Sequence, residues 1–138
     1  MIDNLGLIPT LEWYVKKFGD RHQSIEVEFQ VTGRIRRLSP EMEVALYRVL
    51  QESLKNVAKH AKAHRVHLSL AYSDQQVALI IKDDGMGFDR KNDKAPDKDR
   101  RSGIGLLGMR ERAHSLGGKF KIQSRKGKGT MVSVKLPI

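Results

Sequence analysis

The stretch Ser102–Ala113, SGIGLLGMRERA, places Gly103, Gly105 and Gly108 in the spacing G-x-G-x-x-G. Glycines so spaced at the start of a helix let backbone N–H groups converge on a phosphate, which the helix dipole also favours. The same pattern indicates a dinucleotide-binding fold when it follows a strand and precedes an acid by about 20 residues. Here the preceding stretch, DKAPDKDRRS, is unlike a strand, and residues 112–138 contain no Asp or Glu. A dinucleotide site is therefore excluded, while a phosphate site and a simple flexible helix entry remain open.

A second group of polar residues recurs at steps of three and four on a predicted long helix. The group is Glu52, Asn56, Lys59 and His60. This spacing forms a stripe along the edge of the buried helix face. Asn and Glu can hold a hydrated Mg²⁺, and Lys or His can contact phosphate oxygens. An ordinary solvated helix face has the same pattern, so the stripe alone does not decide between the two.

The stretch IIKDDGMGF ends a predicted buried strand in two carboxylates and two glycines. A carboxylate at a strand end can accept a hydrogen bond from an exocyclic amine, and Gly85 and Gly87 let a flat ring approach the backbone. A plain Asp-Gly turn has the same sequence. Farther along, GKGT either forms a hairpin turn or presents Thr130 to a base or phosphate.

Hydrophobic periodicity predicts the elements that position these residues. It predicts an amphipathic helix over residues 5–18 and a half-buried strand over residues 25–31. Ser39 and Pro40 mark the start of a long helix that runs to about residue 63, with Ala58 in its apolar arc. A hairpin follows, then the charged stretch 89–102, a short helix and two more strands. Because the strands come in adjacent pairs, we expect an α+β two-layer sandwich: a mixed, mostly antiparallel sheet of about five strands covered by three helices.

Composition restricts the class of protein. The length of 138 residues fits a single domain, residues 1–138. The chain contains no cysteine, which excludes disulfides and thiolate metal sites. Its net charge of +10 favours partners with negative charge, such as nucleotide phosphates, nucleic acid or an acidic protein surface. No apolar run reaches the roughly 18–20 residues of a membrane span.

Four of these stretches occur in the order and spacing of one family. ESLKNVAKHA resembles the N box, DDGMGF the first glycine box, GIGLLGMRERA the second, and GKGT the last short motif of that family. Together they resemble the ATP-binding catalytic domain of sensor histidine kinases, which has the Bergerat fold of the gyrase, heat-shock-90 and MutL ATPases. The forms NVAKHA and GLLGMRERA are similar to the subfamily that serves response regulators with helix-turn-helix output domains. Residues 1–22 resemble the exit of that subfamily's dimerisation helix plus the first helix, and residues 89–102 would be the ATP lid.

The resemblance implies roles for the polar helix residues. Asn56 would ligate Mg²⁺, and Glu52 would lie beside it as the second catalytic residue. Lys59 and His60 would approach the phosphates or the ribose. The resemblance leaves open whether Glu52 acts as a base or only tunes the metal site.

It also implies an adenine site and a phosphate site. Asp83, rather than its neighbour Asp84, would accept the hydrogen bond of the adenine amine. The other ATP-binding residues would be Gly85 and Gly87 at the adenine wall, Gly103, Gly105, Leu106 and Gly108 at the lid and phosphates, and Thr130 as a support for the base.

The function that the resemblance implies is phosphoryl transfer. The domain would bind Mg-ATP and donate the γ-phosphoryl group to a histidine on a separate dimerisation domain, and so serve a response regulator indirectly. The phosphoacceptor histidine of the family lies upstream on a helical hairpin, and no histidine here is placed on one. We therefore expect a cytoplasmic catalytic domain that meets a membrane only through a longer parent kinase.

Two other functions stay open at this stage. One is a hydrolytic ATPase or a serine kinase of the same superfamily. The other is a basic nucleic-acid-binding module, suggested by the charge of +10. The aromatic content is only 6% and no stacking platform is evident, so nucleic acid is not the expected partner.

Overall fold

A mixed sheet forms the frame of the protein. The computed structural model describes residues 2–87 and 108–138, apart from the side chains of residues 3, 60 and 61. The strands are β1 (Glu26–Gly33), β2 (Arg65–Tyr72), β3 (Gln76–Asp83), β4 (Lys119–Ser124) and β5 (Thr130–Pro137). They lie in the order β1-β2-β3-β5-β4; β1 and β2 are parallel, and the other neighbours are antiparallel. The prediction of a mixed, mostly antiparallel sheet is confirmed.

The helices share one hydrophobic core with the sheet. They are α1 (Ile2–Leu5), α2 (Leu7–Arg21), α3 (Pro40–Asn56) and α4, which includes residues 108–115. Alternate residues of β3 are buried, among them Val77, Leu79 and Ile81, and they join side chains from α2, α3 and α4 in the core. The expected α+β architecture is confirmed. Within the described ranges, no helix is both long and apolar enough to cross a bilayer.

The predicted start of the long helix is confirmed. Ser39 is the N-cap, and its Oγ accepts a hydrogen bond from the backbone N–H of Met42 at 3.3 Å. Pro40 occupies the first turn, where its missing N–H has no intrahelical partner to lose. Glu41 and Glu43 add negative charge beside the positive end of the helix dipole.

The end of the long helix differs from the prediction. The α-helix stops at Asn56, and Val57–Ala61 form a π-helical turn that ends before Lys62, whose φ is 47°. A π turn bonds residue i to i+5, so each residue advances less around the axis than in an α-helix. Ala58 is consequently exposed, whereas the 3.6-residue period predicts it in the apolar arc.

The N-terminal helix is interrupted where the sequence predicts a continuous one. Gly6, with φ of 86°, separates α1 from α2, and the Thr10 hydroxyl donates to its carbonyl oxygen at 2.8 Å. Periodicity predicts Leu5, Leu11 and Phe18 on the apolar face; Leu11 and Phe18 are buried, but Leu5 is 58% exposed. Leu7, which the period does not place on that face, is buried at the start of α2. The lid predicted at residues 89–102 lies outside the described residues.

Candidate functional site

Asp83 is the last residue of β3 and lies in the buried phase of that strand. Its exposed fraction is 7%, and its Oδ1 accepts a hydrogen bond from the Gly85 N–H at 2.8 Å. Burial raises the pKa of the Asp83 carboxyl, although the backbone N–H groups of Gly85 and Thr130 lower it and the Asp84 charge raises it. Keeping a buried carboxylate ionised destabilises the folded state. Groups whose pKa is shifted in this way are common at functional sites.

Asp84 has a different, structural environment. It is exposed, and its Oδ1 accepts from the backbone N–H groups of His64 at 2.8 Å and Arg65 at 2.9 Å. The Arg65 N–H is the largest cause that lowers the pKa of Asp84. This carboxylate therefore ties the start of β2 to the end of β3, while Asp83 faces the interior.

The turn between β4 and β5 packs tightly against the end of β3. Gly129 has φ of 82°, and a Cβ at this position would overlap the carbonyl oxygen of Asp83. Gly87 has φ of 63°, and a Cβ there would overlap the carbonyl oxygen of Arg125. Thr130 pairs with Asp83 across the sheet, and its Oγ1 lies 2.8 Å from the Ser124 Oγ. GKGT is thus a hairpin turn that also places Thr130 beside the buried carboxylate.

The polar residues of the long helix do not all lie on one α-helix. Glu52 and Asn56 are half-buried and one turn apart on α3. Lys59 is exposed in the π turn, which also contains the backbone of His60, whose side chain lies outside the described part. Ser53, between Glu52 and Asn56 on α3, is 3% exposed, and among the described residues its hydroxyl has no hydrogen-bond partner.

Glu52 and Gly108 line one open cleft of about 350 Å³ between α2, α3 and α4. Its polar lining also includes Tyr14, Arg48, Lys55 and Arg112. Burial raises the pKa of the Tyr14 phenol; the charges of Tyr47 and Glu52 raise it further, and that of Arg21 lowers it. Sequence reasoning singled out Glu52 here and missed the cationic side chains, although Arg48 lies one helical turn before Glu52.

Asp83 lines a separate cleft of about 420 Å³, to which Lys128 also contributes. In the described part of the chain, Glu52 and Gly108 therefore line one cleft, while Asp83, with Gly85 and Thr130 beside it, lines another. The remaining predicted site residues, Gly103, Gly105 and Leu106, lie outside the described residues.

The described residues offer few protein ligands for a magnesium ion. Within residues 2–87 and 108–138, no three His, Asp or Glu side chains are gathered as a metal cluster. Mg²⁺ in phosphoryl-transfer sites commonly takes one or two protein oxygens and completes its shell with waters and phosphate oxygens. The half-buried Asn56 amide fits that pattern, with the ion carried by a nucleotide.

Comparison with known proteins identifies relatives of this chain. Residues 41–138 match the sequence profile of the family described as histidine kinase-, DNA gyrase B- and HSP90-like ATPase. The chain is 39% identical over 137 residues to the signal transduction histidine-protein kinase/phosphatase DegS of Brevibacillus brevis, with 99% of this chain and 34% of DegS covered. It is 34% identical over 137 residues to the oxygen sensor histidine kinase NreB of Staphylococcus carnosus, with 99% of this chain and 38% of NreB covered. The chain thus spans about a third of the length of these relatives.

Solved structures with the same fold are more distant in sequence. The histidine kinase AdeS of Acinetobacter baumannii superposes with a TM-score of 0.72 at 20% identity, over 94% of this chain and 63% of that one. The histidine kinase domain of the blue-light activated kinase of Erythrobacter litoralis EL346 superposes with a TM-score of 0.66 at 19% identity, over 92% of this chain and 58% of that one. These likenesses establish the fold.

Proposed function

This chain belongs to the histidine kinase-, DNA gyrase B- and HSP90-like ATPases, and we propose that it binds Mg-ATP and donates the γ-phosphoryl group to a histidine on a separate dimerisation domain. The observation that carries the proposal is the buried Asp83 carboxylate at the end of β3. Its neighbour Asp84 is already engaged by two backbone N–H groups. Asp84 is exposed and holds the start of β2, whereas Asp83 is buried beside Thr130, so we assign the adenine amine to Asp83.

Different residues of the chain position the base, the magnesium ion and the phosphates of the nucleotide. Asp83 orients the base, Gly85 holds the carboxylate through its N–H, and Thr130 lies beside it on β5. Asn56 would hold the magnesium ion, which would neutralise phosphate charge when bound. Glu52, one turn away on α3, would either act as a base toward the acceptor imidazole or tune the metal site. Lys59 and His60 approach the phosphates or ribose.

The partners follow from the relatives. DegS and NreB are described as histidine kinases, so we infer an acceptor domain in the parent protein and a response regulator with a helix-turn-helix output. The domain would work on the cytoplasmic side, with any membrane contact made by the parent. The sequence boxes predict the remaining nucleotide contacts at Gly87, Gly103, Gly105, Leu106 and Gly108.

The role of Asn56 is tested by calorimetric titration with a non-hydrolysable ATP analogue, with and without Mg²⁺. We expect the analogue to bind the parent chain, with a gain in affinity when Mg²⁺ is present. Asn56→Ala should lower that gain by about tenfold, because the substitution removes a metal ligand. The matched control is Asn4→Ala, an exposed asparagine of α1, which should leave the titration unchanged. A parent chain that binds no analogue would contradict the proposed function; an unchanged magnesium effect in Asn56→Ala would contradict only the metal role.

An experiment with labelled ATP distinguishes phosphoryl transfer to a histidine from hydrolysis of ATP. The chain is incubated with γ-labelled ATP, with and without a purified dimerisation domain from a DegS-type kinase. We expect acid-labile label on the dimerisation domain, and none on a variant of it that lacks the acceptor histidine. Release of phosphate at turnover rates by the chain alone would instead favour a hydrolytic ATPase, and acid-stable label would favour a serine kinase.

A further inference from the structure

The cleft between α2, α3 and α4 has an excess of positive charge. Arg48 and Lys55 contribute from α3 and Arg112 from α4, against the single carboxylate of Glu52 in the lining. The ion pairs seen among the described residues are Arg37–Glu43, Arg65–Glu26 and His67–Glu28. None of them neutralises the three cations of the cleft. Unpaired cations that converge on one concave surface favour an anionic ligand.

The two arginines approach the cleft from opposite walls. Arg48 precedes Glu52 by four residues, which is about 6 Å along a helix axis, so both side chains lie on the same face of α3. Gly108 and Arg112 have the same spacing on α4. Among the described residues, no atom lies within 4 Å of the position that a Cβ would take at Gly108.

We propose that Arg48 and Arg112 bind the γ-phosphoryl group of ATP from two sides and thereby select the triphosphate over the diphosphate. The inference rests on the proposed function, because Asn56 and Asp83 must first seat the nucleotide. A guanidinium presents its N–H donors as a planar fork that matches two phosphate oxygens. Lys55 adds a point charge at the rim. ADP lacks the γ-phosphoryl group, so in this mode it would leave Arg48 and Arg112 without their ligand.

The test compares the affinities for ADP and for a non-hydrolysable ATP analogue, both with Mg²⁺, in four chains: the parent, Arg48→Met, Arg112→Met and Arg110→Met. Methionine keeps the apolar stem and removes the charged fork. We expect each cleft variant to bind the ATP analogue about tenfold more weakly while its affinity for ADP changes less than about twofold. Arg110 is on the same helix but does not line the cleft, so Arg110→Met should match the parent for both nucleotides.

Each outcome separates this inference from the proposed function. If the cleft variants keep the parent's preference for the ATP analogue, or lose ADP and the analogue equally, the inference is wrong while nucleotide binding stands. If the parent binds neither nucleotide, the proposed function fails and the inference fails with it. If a methionine variant does not unfold cooperatively, Arg→Lys at the same position replaces it, since lysine keeps the charge and loses the fork. That variant should show a smaller loss, again confined to the ATP analogue.

Discussion

Replacing Asp83 by Asn is expected to weaken nucleotide binding strongly and to stabilise the folded protein. The Asn carboxamide can still accept the Gly85 N–H at one oxygen. It loses the charge and the second acceptor that we assign to the adenine amine, so affinity for an ATP analogue should fall about 100-fold, as for a lost hydrogen bond to a charged group. Calorimetric titration measures the loss.

The gain in stability follows from the direction of the pKa shift. Burial raises the pKa of Asp83 above its ordinary value of 3.8. The stabilising contribution of the protonated form is therefore complete below pH 3.8 and is lost as the pH rises through the folded-state pKa. At neutral pH the ionised carboxylate destabilises the fold, so Asp83→Asn should raise the free energy of unfolding. The difference in the free energy of unfolding between Asp83→Asn and the parent should shrink as the pH is lowered toward 4. Denaturant unfolding at several pH values would measure it.

Asp84→Asn is the matched control, because it makes the same chemical change one residue along. The pKa of Asp84 is lowered, chiefly by the Arg65 N–H, so its contribution to stability is present above pH 3.8 and is lost as the pH falls through the folded value. This variant should bind the ATP analogue within about twofold of the parent and unfold a few degrees, roughly 3 °C, lower. Loss of binding in Asp84→Asn with binding retained in Asp83→Asn would reverse the assignment of the two carboxylates.

The difference between these neighbours was partly visible in the sequence. Val77, Leu79 and Ile81 alternate along β3, and the same period of two places Asp83 on the buried side. What the period could not reveal is the partner of Asp84, because the His64 and Arg65 N–H groups are brought to it by the antiparallel pairing of β2 with β3.

Other features depended on tertiary structure that local patterns do not encode. VAKHA has the composition of an ordinary helix, with no Gly or Pro to mark the change to a π turn at Val57. The cationic cleft is formed by three helices that are separate in sequence. Local patterns therefore do not distinguish Arg48 from any other exposed arginine. The close approach of the GKG turn to β3 depends on β5 lying beside β3 rather than at an edge of the sheet.

Gly129→Ala is expected to damage both the fold and the site. A residue with a Cβ at φ of 82° is strained by about 1 kcal/mol, and here the Cβ would also overlap the Asp83 carbonyl oxygen and lie 3.2 Å from the Asp84 Cα. Both neighbours are backbone atoms, so the turn must move away from β3. We expect the free energy of unfolding to fall by about 3 kcal/mol in denaturant titrations.

Gly127→Ala distinguishes the overlap from the strain, because Gly127 belongs to the same turn. Its φ is 81°, yet no atom of the described residues lies within 4 Å of the position that a Cβ would take. This variant should lose only the strain energy of about 1 kcal/mol and keep the parent's affinity for an ATP analogue. Gly129→Ala, titrated at a temperature where it is still folded, should bind more weakly because the displaced turn shifts Asp83 and Thr130 together. Equal losses of stability in the two variants would mean that only the left-handed backbone conformation matters, and that the turn does not position the buried carboxylate.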